Sequence, residues 1–231
     1  DISDISDEDG SLTFTFQWQI SDDDSNWVNL NGAGDNTYTI ASDQSQVAKH
    51  IRLTATTTDQ KGGTTEFASN SKEITNVNDT PVGVVTITGI PTEDEILPAT
   101  NDLADEDGIG LVSYQWTRDG GAIDGATNST LALTQADVGT SITVTANYTD
   151  DQGTVENVTS AATAAVANVN DTPVGVVTIT GIATEDQVLT ASHTLADKDG
   201  LGAISYQWKR DGADITGETT DTYTLAQADV G

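Results

Sequence analysis

Ser141-Ile142-Thr143-Val144-Thr145-Ala146-Asn147-Tyr148 alternates strictly between polar and apolar side chains. Successive side chains of a strand point to opposite sides, so Ile142, Val144, Ala146 and Tyr148 share one face of a half-buried β-strand. Val112, Tyr114 and Trp116 repeat the alternation, as do Phe14, Phe16 and Trp18. Gly, Asn and Asp separate these runs and predict tight turns between short strands. No stretch keeps a helical period.

The runs recur at a fixed distance. Asn76-Val77-Asn78-Asp79-Thr80-Pro81-Val82-Gly83 returns intact at 168–175, 92 residues on. At the same offset Asp105-Glu106-Asp107-Gly108 becomes Asp197-Lys198-Asp199-Gly200, and Ser113-Tyr114-Gln115-Trp116 becomes Ser205-Tyr206-Gln207-Trp208. A diverged copy precedes them, with Asp7-Glu8-Asp9-Gly10 and Phe16-Gln17-Trp18. A fixed period marks an array of like units. The copies divide as a partial unit at 1–78, a complete one at 79–170 and a partial one at 171–231. Laid on the complete copy, Asp1 falls at Ala99 and Gly231 at Gly139, so the first copy lacks its opening strands and the third its last. With no Met in it, the sequence reads as an internal piece of a longer polypeptide.

In the complete copy the strands are expected at 82–89, 95–103, 111–118, 121–126, 129–134, 140–148 and 154–166. About seven short strands in a unit of this length predict an all-β fold of immunoglobulin-like Greek-key β-sandwiches, placed end to end. Trp116 sits on the third strand, where that fold buries a tryptophan, and with no Cys in the chain packing alone must hold the two sheets together.

Charge narrows the function. Eight Lys and Arg against 37 Asp and Glu give a net charge of −29, which repels phosphate backbones and anionic membrane surfaces and argues against nucleic-acid partners. No apolar run approaches the roughly 18–20 residues of a membrane span, so direct insertion is not expected. The two histidines, His50 and His193, fall at unrelated positions of different copies, and no acid pair converges on a cleft. The chain is therefore read as non-enzymatic. A cation is the natural partner.

Topology assigns the acids to places. In an immunoglobulin-like sandwich the incoming linker shares a pole with the BC and FG loops. That groups Asn76, Asn78 and Asp79 with Asp105, Asp107, Asp150 and Asp151. The AB and EF loops lie at the other pole, grouping Asp94 and Asp137 with the next linker's Asn168, Asn170 and Asp171 and with Asp197 and Asp199 beyond it. Two like unit charges at 4 Å repel by about 4 kcal/mol at an effective dielectric near 20, so such clusters call for a counter-ion. Oxygen ligands without His or Cys select a hard cation, and six to eight flexible oxygens suit Ca²⁺ better than Mg²⁺. Glu106 becomes Lys198 in the next copy and is not taken as a ligand. The plainer reading of each Asp-x-Asp-Gly stretch is a solvated turn.

Two functions remain open on the residues: a spacer whose copies are alike, and a glycan- or protein-binding module carrying one distinctive loop. The unusual loop is Ser21-Asp22-Asp23-Asp24-Ser25-Asn26-Trp27, read as a hairpin turn with Trp27 covering the sheet edge. The sameness of the second and third copies favours the spacer.

Asn76-Val77-Asn78-Asp79-Thr80-Pro81-Val82 resembles the inter-repeat linker of cadherin-like and VCBS-type bacterial repeats. Ala104-Asp105-Glu106-Asp107-Gly108, Ser113-Tyr114-Gln115-Trp116 and the segment 133–139 resemble the immunoglobulin-like extender repeats of giant RTX-type adhesins. The resemblance implies a Ca²⁺-stiffened stalk, secreted by a type I route to the bacterial cell surface. Such a stalk touches neighbouring repeats of its own chain, stays monomeric, and reaches a cell-surface or abiotic target through other domains. The linker departs from the cadherin pattern in opening with Asn76 instead of Asp, and the nonapeptide repeats of RTX tails are absent from this sequence.

Overall fold

The computed structural model describes residues 5, 6, 8, 10 and 12–231. Asp7 and Asp9, the acids of the first copy's Asp-Glu-Asp-Gly stretch, lie outside the described residues. The chain forms two compact units. One gathers the residues up to Val85 with Asn101–Tyr114 and Thr145–Thr159, and the other gathers Thr86–Thr100, Gln115–Val144 and Ser160–Gly231.

The first copy contributes β1 (Thr13–Ser21), β2 (Val28–Asn29), β3 (His50–Thr58), β4 (Thr64–Ala68) and β5 (Lys72–Glu73). They form an antiparallel sheet in the order β2-β1-β3-β4, with β5 also paired to β3. Phe16 stands opposite Ala55 and Trp18 opposite Leu53. Each Gln-Trp pair of the sequence clamps the turn that follows its strand. Gln17 Nε2 donates to Trp18 O and Leu30 O, both at 2.8 Å, and Gln115 and Gln207 make the same double contact in their copies. Trp27 is half-buried, with the Arg52 guanidinium 4.2 Å from the centre of its ring.

The complete copy follows with β6 (Val85–Ile87), β7 (Ile96–Asn101), β8 (Ser113–Arg118), β9 (Gly121–Ala122), β10 (Thr130–Ala132), β11 (Ile142–Thr149) and β12 (Val155–Thr159). Its strands order as two sheets, β10-β7-β6 and β12-β11-β8-β9. The seven strands make the all-β sandwich expected from the alternation. The core of the second unit is built on Leu97, Trp116, Ile142 and Val144, all fully buried. The alternating face of β11 is buried along its length, as its sequence requires.

Strand seven is shorter than the expected 154–166, ending at Thr159. Beyond it, side-chain hydroxyls stand in for ladder carbonyls. Val144 N donates to Ser160 Oγ at 3.1 Å and Ile142 N to Thr163 Oγ1 at 3.0 Å, while Ser160 N and Thr163 N donate back to Val144 O and Ile142 O. The first copy repeats the device, with Leu53 N donating to Ser69 Oγ. Buried N–H groups are thus satisfied while the regular register is lost.

The third copy supplies β13 (Val177–Thr180), β14 (Val188–His193), β15 (Lys209–Arg210), β16 (Ala213–Asp214) and β17 (Thr222–Thr224). A three-stranded sheet runs β13-β14-β17 and β15 pairs with β16. Tyr206 and Trp208, expected on a strand, precede β15 in irregular backbone. In the complete copy β8 pairs with β11, and the sequence ends at Gly231 before any counterpart of β11. Trp208 nonetheless packs with Ala191 and Tyr223, its ring centre 5.4 Å from that of Tyr223. Among the described residues no helix is long and apolar enough to cross a membrane.

Candidate metal centre

The first linker meets two loops within the first unit. Asp79 N donates to Asp107 Oδ2 at 2.6 Å, Asp107 N donates to Asp105 Oδ1 at 2.9 Å, and Asp151 N donates to Asp107 O at 3.0 Å. Three of the expected acid positions, 79, 107 and 151, are thereby stitched together through the carboxylate and the carbonyl of Asp107. Gly108, at φ +95°, lets the loops close: a Cβ there would run into the Asp151 carboxylate. Tyr148, buried at the end of β11, donates its hydroxyl to Asp105 Oδ2 at 2.6 Å and fixes that carboxylate. Burial, and then the bond to Asp105, push the Tyr148 phenol far above its ordinary pKa.

Asp107 is 2% exposed and Asp150 5% exposed. Asp150 Oδ1 accepts from Gln152 N and Thr154 N, but Asp150 Oδ2 and Asp107 Oδ1 are buried without a hydrogen-bond partner. Asn76 Oδ1 and Gln44 Oε1 are in the same state, and both residues line one cleft with Asp79. Gln44 Nε2 also donates to Asp79 Oδ2 at 3.1 Å. Leaving a buried acceptor unpaired costs roughly 1–3 kcal/mol, more if it is charged. Four unpaired oxygens, two of them on carboxylates, are donors of the kind a hard cation takes, although among the described residues no three acids at this linker bring oxygens within 4.8 Å of one another. Asn78 turns elsewhere, its amide donating to Glu156 Oε1 at 2.7 Å and to Asp79 O.

The second linker repeats the frame within the second unit. Asp171 N donates to Asp199 Oδ2 at 2.7 Å and Asp199 N to Asp197 Oδ1 at 2.9 Å. Asn170 donates to Asp171 O. Here the preceding repeat presents Glu93, which the sequence places at this pole beside Asp94 without naming it a ligand; it is 2% exposed and accepts from Val169 N through Oε2. One oxygen each from Glu93, Asp171 and Asp199 lie within 4.8 Å of one another. That upper bound is about twice the ~2.3–2.6 Å of a Ca–O bond, the spacing at which neighbouring carboxylates share an ion. Gln135, the counterpart of Gln44, has its side chain here as well. With its amide nitrogen turned to the acids it donates to Glu93 Oε1 at 3.0 Å and Asp199 Oδ1 at 3.2 Å. In the opposite orientation it donates to Asn168 Oδ1 at 3.3 Å.

Two expected ligands are placed differently. Asp94 is exposed in a left-handed turn at φ +64°, the conformation Asp186 repeats in the next copy, so it shapes the loop while Glu93 faces the linker. Asp137 is buried, but its Oδ1 accepts from Arg118 Nε at 2.7 Å and its Oδ2 from Thr134 N and Oγ1. Both oxygens hold the turn before β11. Asp229 does the same for the third copy: the Ala226 N–H and then the Arg210 guanidinium lower its pKa to about 2.

No family model matches the chain, and no curated protein does. Among solved structures, Sidekick-1 immunoglobulin domains 1–4 are 18% identical at a TM-score of 0.25, over 96% of this chain and 60% of that one. A structure bearing on host cell surface retention of a 1.5-MDa bacterial ice-binding adhesin is 14% identical at 0.31, over 81% of this chain and 70% of that one. Sidekick-1 domains 1–5 are 16% identical at 0.24, over 96% of this chain and 50% of that one. The chain thus spans three-fifths of the first of these structures and half of the last.

Proposed function

We propose that the chain is a spacer segment of a secreted bacterial surface adhesin, and that Ca²⁺ bound where its repeats join stiffens it so that a distal domain is held away from the cell. The observation that carries this reading is the recurrence of one oxygen-rich frame at both linkers, with buried, unpartnered carboxylate oxygens of Asp107 and Asp150 at the first. Asn76, Asp79, Asp107 and Asp150, with Gln44, supply oxygens at the first joint, and Glu93, Asn168, Asp171 and Asp199 supply them at the second. Asp105 and Asp197 hold the neighbouring Asp N–H groups in place.

Without an ion the clustered carboxylates repel and each linker acts as a hinge. With one, oxygens from successive copies share a metal and the hinge is pinned. Weak binding, near 10⁻⁴–10⁻³ M, suffices outside a cell. The repetition of the frame supports a spacer over a binding module, because the distinctive loop of the first copy has its one large aromatic capped by Arg52.

Thermal melting of the 231-residue chain in chelator, in ~10 mM CaCl₂ and in equal MgCl₂ tests the ion. At about 10 to 100 times Kd, binding adds roughly 1.4–2.7 kcal/mol per site, so calcium should raise the melting temperature by several degrees and magnesium by much less. Coincident curves in all three would remove the metal from the reading.

A further inference from the structure

The two joints differ by one residue at a decisive place. Glu106, exposed in the first, is replaced in the second by Lys198. Lys198 Nζ lies 3.0 Å from Asp171 Oδ1, and Asp171 is one of the three acids whose oxygens converge there. We propose that Lys198 is a tethered counter-cation of the second joint, competing with the divalent ion for Asp171 and setting that joint to a lower Ca²⁺ affinity than the first. This rests on the reading of the joints as Ca²⁺ sites.

The surroundings agree. Lys198 lines one cleft with Asp171, Thr172 and Asp197. Its ammonium is held above the ordinary lysine range first by the hydrogen bond to Asp171 and then by that carboxylate's charge, with Asp94 and Glu93 adding to the attraction. The amide of Gln135 meets the two remaining acids, Glu93 and Asp199. The second joint thus carries donors of its own for all three converging carboxylates. A divalent ion must displace the ammonium from Asp171 and then remain beside its positive charge. Lys198 is two-thirds exposed at its side chain, so solvent screens the effect and an affinity difference of about three- to tenfold is expected. The consequence for a stalk is graded stiffening: as calcium falls, the second joint releases its ion first.

Calorimetric Ca²⁺ titration of the full chain and its Lys198→Gln, Lys198→Glu and Glu106→Lys variants tests this. An Asp107→Asn background silences the first joint, so that the remaining heat reports the second. Lys198→Gln should tighten second-joint binding about three- to tenfold and Lys198→Glu further, while Glu106→Lys should weaken the first joint. In chelator, Lys198→Gln should melt below the parent, the reverse of its effect in calcium. Unchanged second-joint affinity in both Lys198 variants, with calcium still bound, overturns the role of Lys198 and leaves the metal reading standing. Absence of calcium binding in every form overturns both.

Discussion

Asp107→Asn is expected to raise the melting temperature of the chain in chelator and to lower it in millimolar calcium. The two signs come from the same atoms. Asp107 is buried with Oδ1 unpartnered, bonded to Asp79 N and, through its own N–H, to Asp105. Neutralising it removes like-charge repulsion on the order of 1–2 kcal/mol at separations near 8 Å and an effective dielectric of 20. The new amide keeps an oxygen to accept from Asp79 N and offers an N–H to a neighbouring carboxylate. In ~10 mM calcium the same change removes an anionic ligand, and with it most of the roughly 2.7 kcal/mol that a site with Kd near 10⁻⁴ M contributes. A residue with a merely structural role would shift both curves in one direction. Parallel melts of wild type and variant, with and without calcium, distinguish the two outcomes.

Trp116→Ala is expected to destabilise the complete copy by about 3–5 kcal/mol in denaturant unfolding, with calcium absent throughout. Trp116 is fully buried, and its Nε1 donates to Asn128 O at 2.8 Å, anchoring the segment before β10. No disulfide backs it up, since the chain has no Cys. Trp208→Ala should cost less. Trp208 makes the corresponding bond to Thr220 O at 2.9 Å but keeps 8% exposure and packs among fewer buried neighbours. Equal losses at the two positions would mean that the shared bond, and not the core around it, sets the cost.

These two residues also mark how far the sequence could be read. Trp116 and the alternating face of β11 declare themselves, because a period of two leaves no choice about which side chains face inward. The array and its phase follow from the repeated linker. The meeting of linker, BC and FG loops was legible from topology, which assigns them to one pole: Asp79 N donates to the Asp107 carboxylate and Asp151 N to the Asp107 carbonyl.

What stayed hidden depends on single torsions. Glu93 and Asp94 are adjacent, and sequence alone does not separate them: Asp94 is exposed in a left-handed conformation, while Glu93 is buried and accepts from Val169 N of the linker. Asp137 looks like a loop acid in sequence, but Arg118, 19 residues earlier, has its guanidinium against it. Glutamines at 44 and 135 recur at equivalent places in the turn before the sixth strand, a signal that was present but carried no charge to draw notice. The early end of β12 follows from Ser160 and Thr163, whose hydroxyls replace main-chain acceptors in a way no alternation reveals.

Small-angle X-ray scattering on the intact chain, in calcium and then in excess chelator, tests the stiffening of the joints most directly. The account predicts a larger maximum dimension and a narrower distance distribution in calcium, reversed by chelation and blunted by Asp107→Asn. Superimposable scattering in the two buffers, with calcium shown to be bound, would contradict it.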